Sequence, residues 1–218
     1  MPAPPPAARN ATVVAAFDFD GTLSTRDNFV PFLVRVAGAA TVAQTLVASG
    51  LRVTGNRRSG EWRDALKAEV VRRIFTGFDA ERFDALGNAF AFDLLRRRLR
   101  PDVVDRVDWH RTQGHKLVIV SASLGVYVRP VARQLRFDGV LASELEVDHS
   151  GRLTGRLAGN NVRGAEKTRR LDLWLGDEPA YVWAYGDSSG DRELWSRADR
   201  PVRVARRNRF SRDRVPIE

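Results

Sequence analysis

The 218 residues carry 36 Lys and Arg against 27 Asp and Glu, a formal net charge of +9, and 43% are hydrophobic. That length and apolar fraction predict one domain, or one domain with a modest insert, built on a sizeable core, and they argue against global disorder. The absence of cysteine excludes disulfides, thiolate nucleophiles and Cys-held zinc or iron–sulfur centres, and three histidines (His110, His115, His149) are too few for a multi-His metal site.

The Pro/Ala-rich start, residues 1–10, reads as a flexible leader with no basic segment and apolar run of a secretory signal, so a cytoplasmic protein is expected. The positive charge is almost entirely arginine; only Lys67, Lys116 and Lys167 are lysines. Such a surface concentrates anions, whether phosphates, nucleic acid or acidic lipid. The runs Arg96–Arg98 and Arg206-Arg207-Asn208-Arg209 come without aromatic interleaving, a zinc finger or an RNP-type pattern. No dedicated nucleic-acid binding is therefore expected, and the expected partner is an anionic small molecule.

In chain order, Thr12–Phe17 is a β-branched apolar run that predicts a buried strand, ending in Asp18-Phe19-Asp20-Gly21-Thr22. From 28 to 100 apolar residues recur at helical spacing, as in Trp62, Leu66, Val70 and Ile74, and no strand is apparent. Asp79 is the expected cap of a helix through Phe83 and Phe90. Within this segment Val36–Leu51 lacks charges but is too short and polar to span a membrane. It reads as a buried helix, and the alternative is a surface that dips toward lipid, a peripheral membrane contact, or toward a partner.

Pro101 opens a helix that Gly114 stops, Lys116–Val120 is a strong strand running into Ser121-Ala122-Ser123, and a helix follows over Val126–Leu135. Gly139–Leu141 predicts a third strand, Glu144–Asp148 and Arg152–Leu157 a hairpin, and Ala165–Leu175 a helix. Ala180–Tyr185 is a strand leading into Gly186-Asp187-Ser188-Ser189-Gly190-Asp191, and Pro201–Val204 a last one. The alternation after 101 predicts an α/β fold with a parallel sheet.

Ligands of open α/β sheets bind beyond the carboxyl ends of the strands. Three predicted strands end there in Asp18 and Asp20, in Ser121, and in Asp187 with Asp191. Carboxylates converging on one edge must hold protons or share a cation, and an all-oxygen donor set points to Mg2+. Asp is also a competent covalent nucleophile toward phosphorus, with Ser121 and a lysine available to the phosphoryl oxygens.

These residues resemble the haloacid dehalogenase superfamily. DFDGT at Asp18–Thr22 resembles its first motif, KLVIVSAS through Ser121 its second, Gly164-Ala165-Glu166-Lys167 its third, and AYGDSSGD with Asp187 and Asp191 its fourth. The helical segment between the first two resembles the C1 cap of the phosphoserine-phosphatase-like branch. The resemblance implies a Rossmann-like core, 11–27 and 101–218, with a helical cap, 28–100, inserted after the first strand. It implies an Mg2+-dependent phosphomonoester hydrolase working through an aspartyl-phosphate, on a small phosphorylated metabolite such as phosphoserine. Asp18 would be the nucleophile and Asp20 the acid and base. Asp18, Asp187 and the Asp20 carbonyl would hold the metal, and Asp191 would support it, through water or from behind the ligands. Ser121 and Lys167 would hold the phosphate, Gly21 would turn the loop and Thr22 would brace it.

Three departures bear on substrate. Ser-Ala-Ser replaces the Ser-Gly-Gly of phosphoserine phosphatases, Gly190 replaces an Asn, and Asp27 stands where they carry a substrate-binding Glu. Asp27 either meets a substrate ammonium or caps the helix starting near Asn28. Two alternatives stay open: a phosphatase of a lipid head-group phosphate such as phosphatidylglycerophosphate, and a phosphotransferase using the same aspartyl-phosphate. Gly186–Gly190 also fits the G-x-S-x-G elbow of α/β-hydrolases, but that order needs a histidine after Ser188, and the last one is His149.

Overall fold

A computed structural model describes residues 11–56 and 59–205; the leader and the Arg206–Arg209 run lie outside the described residues. Strand β1, Thr12–Phe17, is the middle of a five-stranded sheet with β2 (Lys116–Leu124), β3 (Gly139–Ser143), β6 (Ala180–Gly186) and β7 (Arg200–Arg203). The order is β3-β2-β1-β6-β7, and every pairing is parallel. Period-two alternation explains why β1 is apolar throughout. Val14 and Ala16 join one core cluster with Val118, Val120, Val182 and Ala184, whereas Ala15 and Phe17 join another with Leu117, Ile119 and Tyr185. A strand covered on both faces has no polar side to show.

Helices α7 (Ala165–Leu175) and α8 (Arg192–Arg197) pack on the first cluster through Leu171 and Leu194. Helices α5 (Pro101–Thr112) and α6 (Gly125–Gln134) pack on the second through Val103, Val107, Val128 and Val131. The antiparallel hairpin of β4 (Leu145–Val147) and β5 (Leu153–Leu157) is separate from the main sheet. Strand order reverses between β1 and β6, and Asp18 N donates to Tyr185 O at 2.9 Å, carrying their pairing to the loops. Such a switch point leaves a crevice beyond the carboxyl ends of the strands.

Between β1 and α5 the described residues form four α-helices: α1 (Phe29–Ala37), α2 (Ala39–Arg52), α3 (Gly60–Phe75) and α4 (Ala80–Arg97). The chain leaves and re-enters the sheet side by side, for Ser24 bridges Leu99, Thr25 N donates to Arg98 O and Arg100 N donates to Leu23 O. Asp79 caps α4 as expected, accepting from Arg82 N at 2.8 Å. Phe32, Phe83, Phe90 and Tyr127 form an aromatic cluster that joins α1 and α4 to α6.

Two expectations need correction. The uncharged stretch 36–51 is not a buried helix: Gly38, at φ +82°, divides it, and of α2 only Val42 and Ser49 are buried. No described element packs over its outer side, so lack of charge there did not mean burial. Strand β2 also runs past Val120 to Leu124, with a register shift between Ser121 and Leu124. That irregularity turns Ser121-Ala122-Ser123 into the wall of the crevice.

Candidate active site

Asp18 follows β1 and Asp187 follows β6, so adjacent parallel strands deliver both carboxyls to the same place. One oxygen from each of Asp18, Asp187 and Asp191 lies within 4.8 Å of the others, and all three residues are buried. Gly21 permits this approach. Its φ is +84°, and a Cβ there would stand 2.5 Å from Asp187 Oδ2. Asp191 reaches the cluster from the short turn before α8, and both of its oxygens are engaged. Oδ1 accepts from Lys167 Nζ at 2.5 Å, and Oδ2 accepts from the backbone N–H groups of Asp187 and Ser188 and from Ser188 Oγ.

Lys167, on the first turn of α7, also donates to Asp18 Oδ1 at 2.6 Å. Burial works to lower its pKa, but Asp18 and Asp191 outweigh it and hold the ammonium's pKa above its ordinary value. Burial pushes the Asp18 carboxyl up to about 6, against the pull of Lys167 and with the charges of Asp191 and Asp187 behind it. Three carboxylates around a single ammonium leave negative charge in a dry site, which is the condition for binding a cation.

Asp20, two residues on, faces different partners. Ser123 Oγ donates to its Oδ2 at 2.6 Å, and Asn28 Nδ2 and N donate to its Oδ1 at 2.6 and 3.2 Å. Burial, then the charge of Asp27, pushes its carboxyl up to about 7, while Ser123 and Asn28 work the other way. Ser121 Oγ lies 3.2 Å from Ser123 Oγ and accepts from Ser123 N. The second serine of Ser121-Ala122-Ser123 is thus the residue that grips Asp20.

Asp18, Asp20, Ser121, Ser123, Lys167 and Asp187 line a cavity of about 640 Å3 together with Lys67, Arg26, Arg63, Arg100 and Arg163. Lys67, from α3, donates to Ala122 O and, at 2.6 Å, to Asn161 Oδ1; Asn161 in turn donates to Asp64 Oδ1 at 2.7 Å. Lys67 and Asn161 therefore tie α3 to β2, which carries Ser121, and to the segment that leads into α7, which carries Lys167. Burial draws the Lys67 ammonium down to about 8, against the charges of Asp20 and Asp64. Arg163 Nε lies 3.4 Å from where a Cβ on Gly190 would stand, so an arginine occupies the space beside the position where an Asn was expected.

The structure brings together Asp18, Asp20, Ser121, Lys167, Asp187 and Asp191. Asp27 lies at the exposed rim, and its Oδ1 accepts from Phe29 N at 2.8 Å, so its carboxylate caps the start of α1. Thr22 does not brace the loop as expected: it is buried, but its hydroxyl meets no hydrogen-bond partner among the described residues. Sequence reasoning missed the roles of Ser123, Asn28, Lys67 and Asn161. One signal was available for Lys67. In so arginine-rich a chain each lysine stands out, and two of the three line the cavity.

Comparison with known proteins agrees with this geometry. The haloacid dehalogenase-like hydrolase family is matched over residues 15–196. Protein CicA of Caulobacter vibrioides is 36% identical over 189 residues, spanning 86% of this chain and 83% of the relative. A phosphoserine phosphatase of Archaeoglobus fulgidus is 27% identical over 187 residues, which is 84% of this chain and 49% of that protein. Among solved structures, a Bordetella pertussis protein of unknown function superposes with a TM-score of 0.72 at 23% identity, covering 88% of this chain and 89% of its own. A phospho-aspartyl intermediate analogue of phosphoserine phosphatase gives 0.58 at 18% identity, covering 88% and 86%. The chain belongs to the haloacid dehalogenase-like hydrolases.

Proposed function

We propose that the protein is an Mg2+-dependent phosphomonoester hydrolase that works through an aspartyl-phosphate on Asp18. The observation that carries this reading is the convergence of Asp18, Asp187 and Asp191 on one point, with Lys167 bridging two of them and Asp20 held beside them by neutral donors. The donor set is all oxygen and buried, and Gly21 leaves room for the Asp187 carboxylate, so these residues fit a hard divalent ion. Asp18, Asp187 and the Asp20 carbonyl would hold it, and Asp191, with both oxygens engaged, would support them from behind. When bound, Mg2+ supplies positive charge to the phosphate oxygens and offsets that of the carboxylates.

The chain's own groups account for the chemistry. A carboxylate oxygen of Asp18 bonds to phosphorus as the phosphorus–oxygen bond to the alcohol breaks, and Asp20 gives its proton to the leaving oxygen. In the second half Asp20, now a carboxylate, takes a proton from water while the water oxygen bonds to phosphorus. The bond from Asp18 to phosphorus breaks and phosphate leaves. A carboxyl pushed up to about 7 suits both halves near neutral pH. Ser121 Oγ and Lys167 Nζ would hold the phosphoryl oxygens.

A small phosphorylated metabolite such as phosphoserine fits this chemistry, but the cavity favours a second, larger class. At about 640 Å3 its wall carries Arg26, Arg63 and Arg163 beside apolar Val30, Leu46 and Leu66. That lining suits a phosphomonoester with a further anionic group and an apolar part, as in a lipid head-group phosphate. The test is phosphate release from p-nitrophenyl phosphate, phosphoserine and a phosphorylated lipid head group, each with Mg2+ and with excess chelator. Release that persists under chelation would refute the metal-dependent mechanism. A preference for phosphoserine over the head-group substrate would refute the larger class.

A further inference from the structure

Between Asp27 and Glu61 the sequence contains no acidic residue at all, although the chain has 27 of them, and the same stretch carries Arg35, Arg52, Arg57 and Arg58. It forms α1 and α2, which pack against each other. Their solvent side is aliphatic. Val30 and Val34, one turn apart on α1, are 39% and 38% exposed, and Val47 and Leu51, one turn apart on α2, are 66% and 78% exposed. Ala40 and Ala43 continue that exposed side, and α2 has no charge before Arg52. A helix face turned to water ordinarily carries charges of both signs. This one carries aliphatic side chains with Gln44 among them, and of its bordering arginines Arg35 pairs with Asp93 at 3.0 Å whereas Arg52 ends a helix that holds no acid.

The face is also continuous with the active site. Val30 and Leu46 line the cavity, and exposed Arg26 and Arg63 stand in the same wall. We propose that the α1–α2 face seats on an anionic lipid bilayer, with Val34, Val47 and Leu51 entering the interface and Arg26, Arg52 and Arg63 meeting lipid phosphates. An apolar helix face with a cationic border is the pattern that lies in the plane of a membrane surface. Charge argues against a second copy of the chain as occupant, because α1 and α2 themselves carry arginine and no acid, and pairing the two faces would bring like charges together. The consequence for chemistry rests on the phosphatase reading: a seated molecule turns its cavity mouth toward head groups, and its substrate would be a phosphomonoester borne by lipid. Docking itself needs no turnover, so the two ideas are tested apart.

The experiment is co-sedimentation of the full chain with vesicles of phosphatidylcholine alone and of phosphatidylcholine containing about one quarter phosphatidylglycerol, at low and high salt. The full chain should partition to the anionic vesicles at least about tenfold more strongly than to the neutral ones, and lose that advantage as salt rises. Val47→Glu combined with Leu51→Glu should reduce the partition at least about tenfold. Both side chains point to solvent, so the thermal unfolding midpoint and the hydrolysis of soluble p-nitrophenyl phosphate should be unchanged. Arg52→Glu should weaken anionic binding without adding charge among the aliphatic residues. No partition to either vesicle, equal partition to both, or an unaltered partition in the double variant would overturn the proposal. So would a dimer, seen by light scattering without vesicle binding, that the double variant dissociates. Vesicle binding without release of phosphate from any substrate would leave docking standing and refute the hydrolase reading.

Discussion

Lys67→Met separates a structural lysine from a substrate-facing one. Lys67 belongs to α3, lines the cavity, donates to Ala122 O and Asn161 Oδ1, and stands 5.5 Å from the centre of the Phe29 ring. Burial lowers its ammonium from 10.5 to about 8, a displacement that corresponds to about 3 kcal/mol against the charged form at neutral pH. Its two charge-assisted hydrogen bonds return about 1.5 kcal/mol each at the low end of their range. Cost and return nearly cancel, so replacing Lys67 by the similarly long but uncharged Met should move the unfolding midpoint by no more than about 5 °C.

The effect on catalysis is not balanced in that way. An anionic substrate would meet one cation fewer beside Ala122, the neighbour of Ser121, and kcat/KM should fall about ten- to hundredfold, mostly through KM. The pH dependence of stability gives an independent check. Between about 8 and 10.5 the unfolded chain holds a proton that the folded Lys67 has released, so this residue's penalty is complete below about 8 and relieved as pH rises to 10.5. The variant should lack that rise. Thermal unfolding from pH 7 to 10.5 and steady-state kinetics on a soluble phosphomonoester suffice. A midpoint lowered by more than about 10 °C would show Lys67 to be structural, and kcat/KM within about twofold of the parent would show that it does not face substrate.

Asp18→Asn should lower turnover by about 10^4-fold or more while the protein stays folded, since an amide does not attack phosphorus and Lys167 keeps Asp191; near-normal turnover would refute the nucleophile. Gly21→Ala, at φ +84° with its Cβ 2.5 Å from Asp187 Oδ2, should cost about 1–3 kcal/mol and displace that carboxylate, so parental stability and rate together would contradict the crowding. Mg2+ should raise the unfolding midpoint progressively with concentration, and chelator should reverse it, as differential scanning fluorimetry would report. His110 is buried against Tyr185 and His115, and burial, then the charges of His115 and Arg106, holds it down to about 3. The unfolded chain therefore takes up its proton first, and stability should fall below about pH 6.5 by about 1.4 kcal/mol per pH unit. Denaturant titrations at pH 7 and 5 would show this as a loss of about 2 kcal/mol that His110→Gln reduces.

The parts of the fold legible in the sequence were those where one physical demand fixes a whole run of residues. Thr12–Phe17 and Lys116–Val120 are apolar without alternation because helices cover both sheet faces, and the polar residues that end them mark the carboxyl edge. Asp18, Ser121, Lys167 and Asp187 could be placed from that alone and from motif order. Side chains whose partners lie on other segments could not. Asn28 and Ser123 meet at Asp20 from segments that no periodicity links, and Lys67 reaches Asn161 from 94 residues away. Helix α2 failed for the opposite reason. Apolar composition predicts burial only if some element arrives to cover it, and here none of the described ones does.

The proposed division of roles between Asp18 and Asp20 follows from the kind of partner each one has. Both are buried carboxyls, two residues apart in one loop, and burial raises both. Asp18 is bonded to an ammonium, Lys167, which favours the carboxylate and keeps a nucleophile available. Asp20 is bonded to a hydroxyl and an amide, Ser123 and Asn28, which orient it without supplying a formal charge, so it can exist with or without its proton near neutrality. Exchanging those environments would exchange the roles. Lys167→Met should therefore impair Asp18 before Asp20, moving the pH limb set by ionisation of the nucleophile upward while Ser123→Ala moves the limb set by Asp20 upward. Shifts of the same limb in both variants would mean that the two carboxyls titrate as one unit, and the assignment of separate nucleophile and acid would fall.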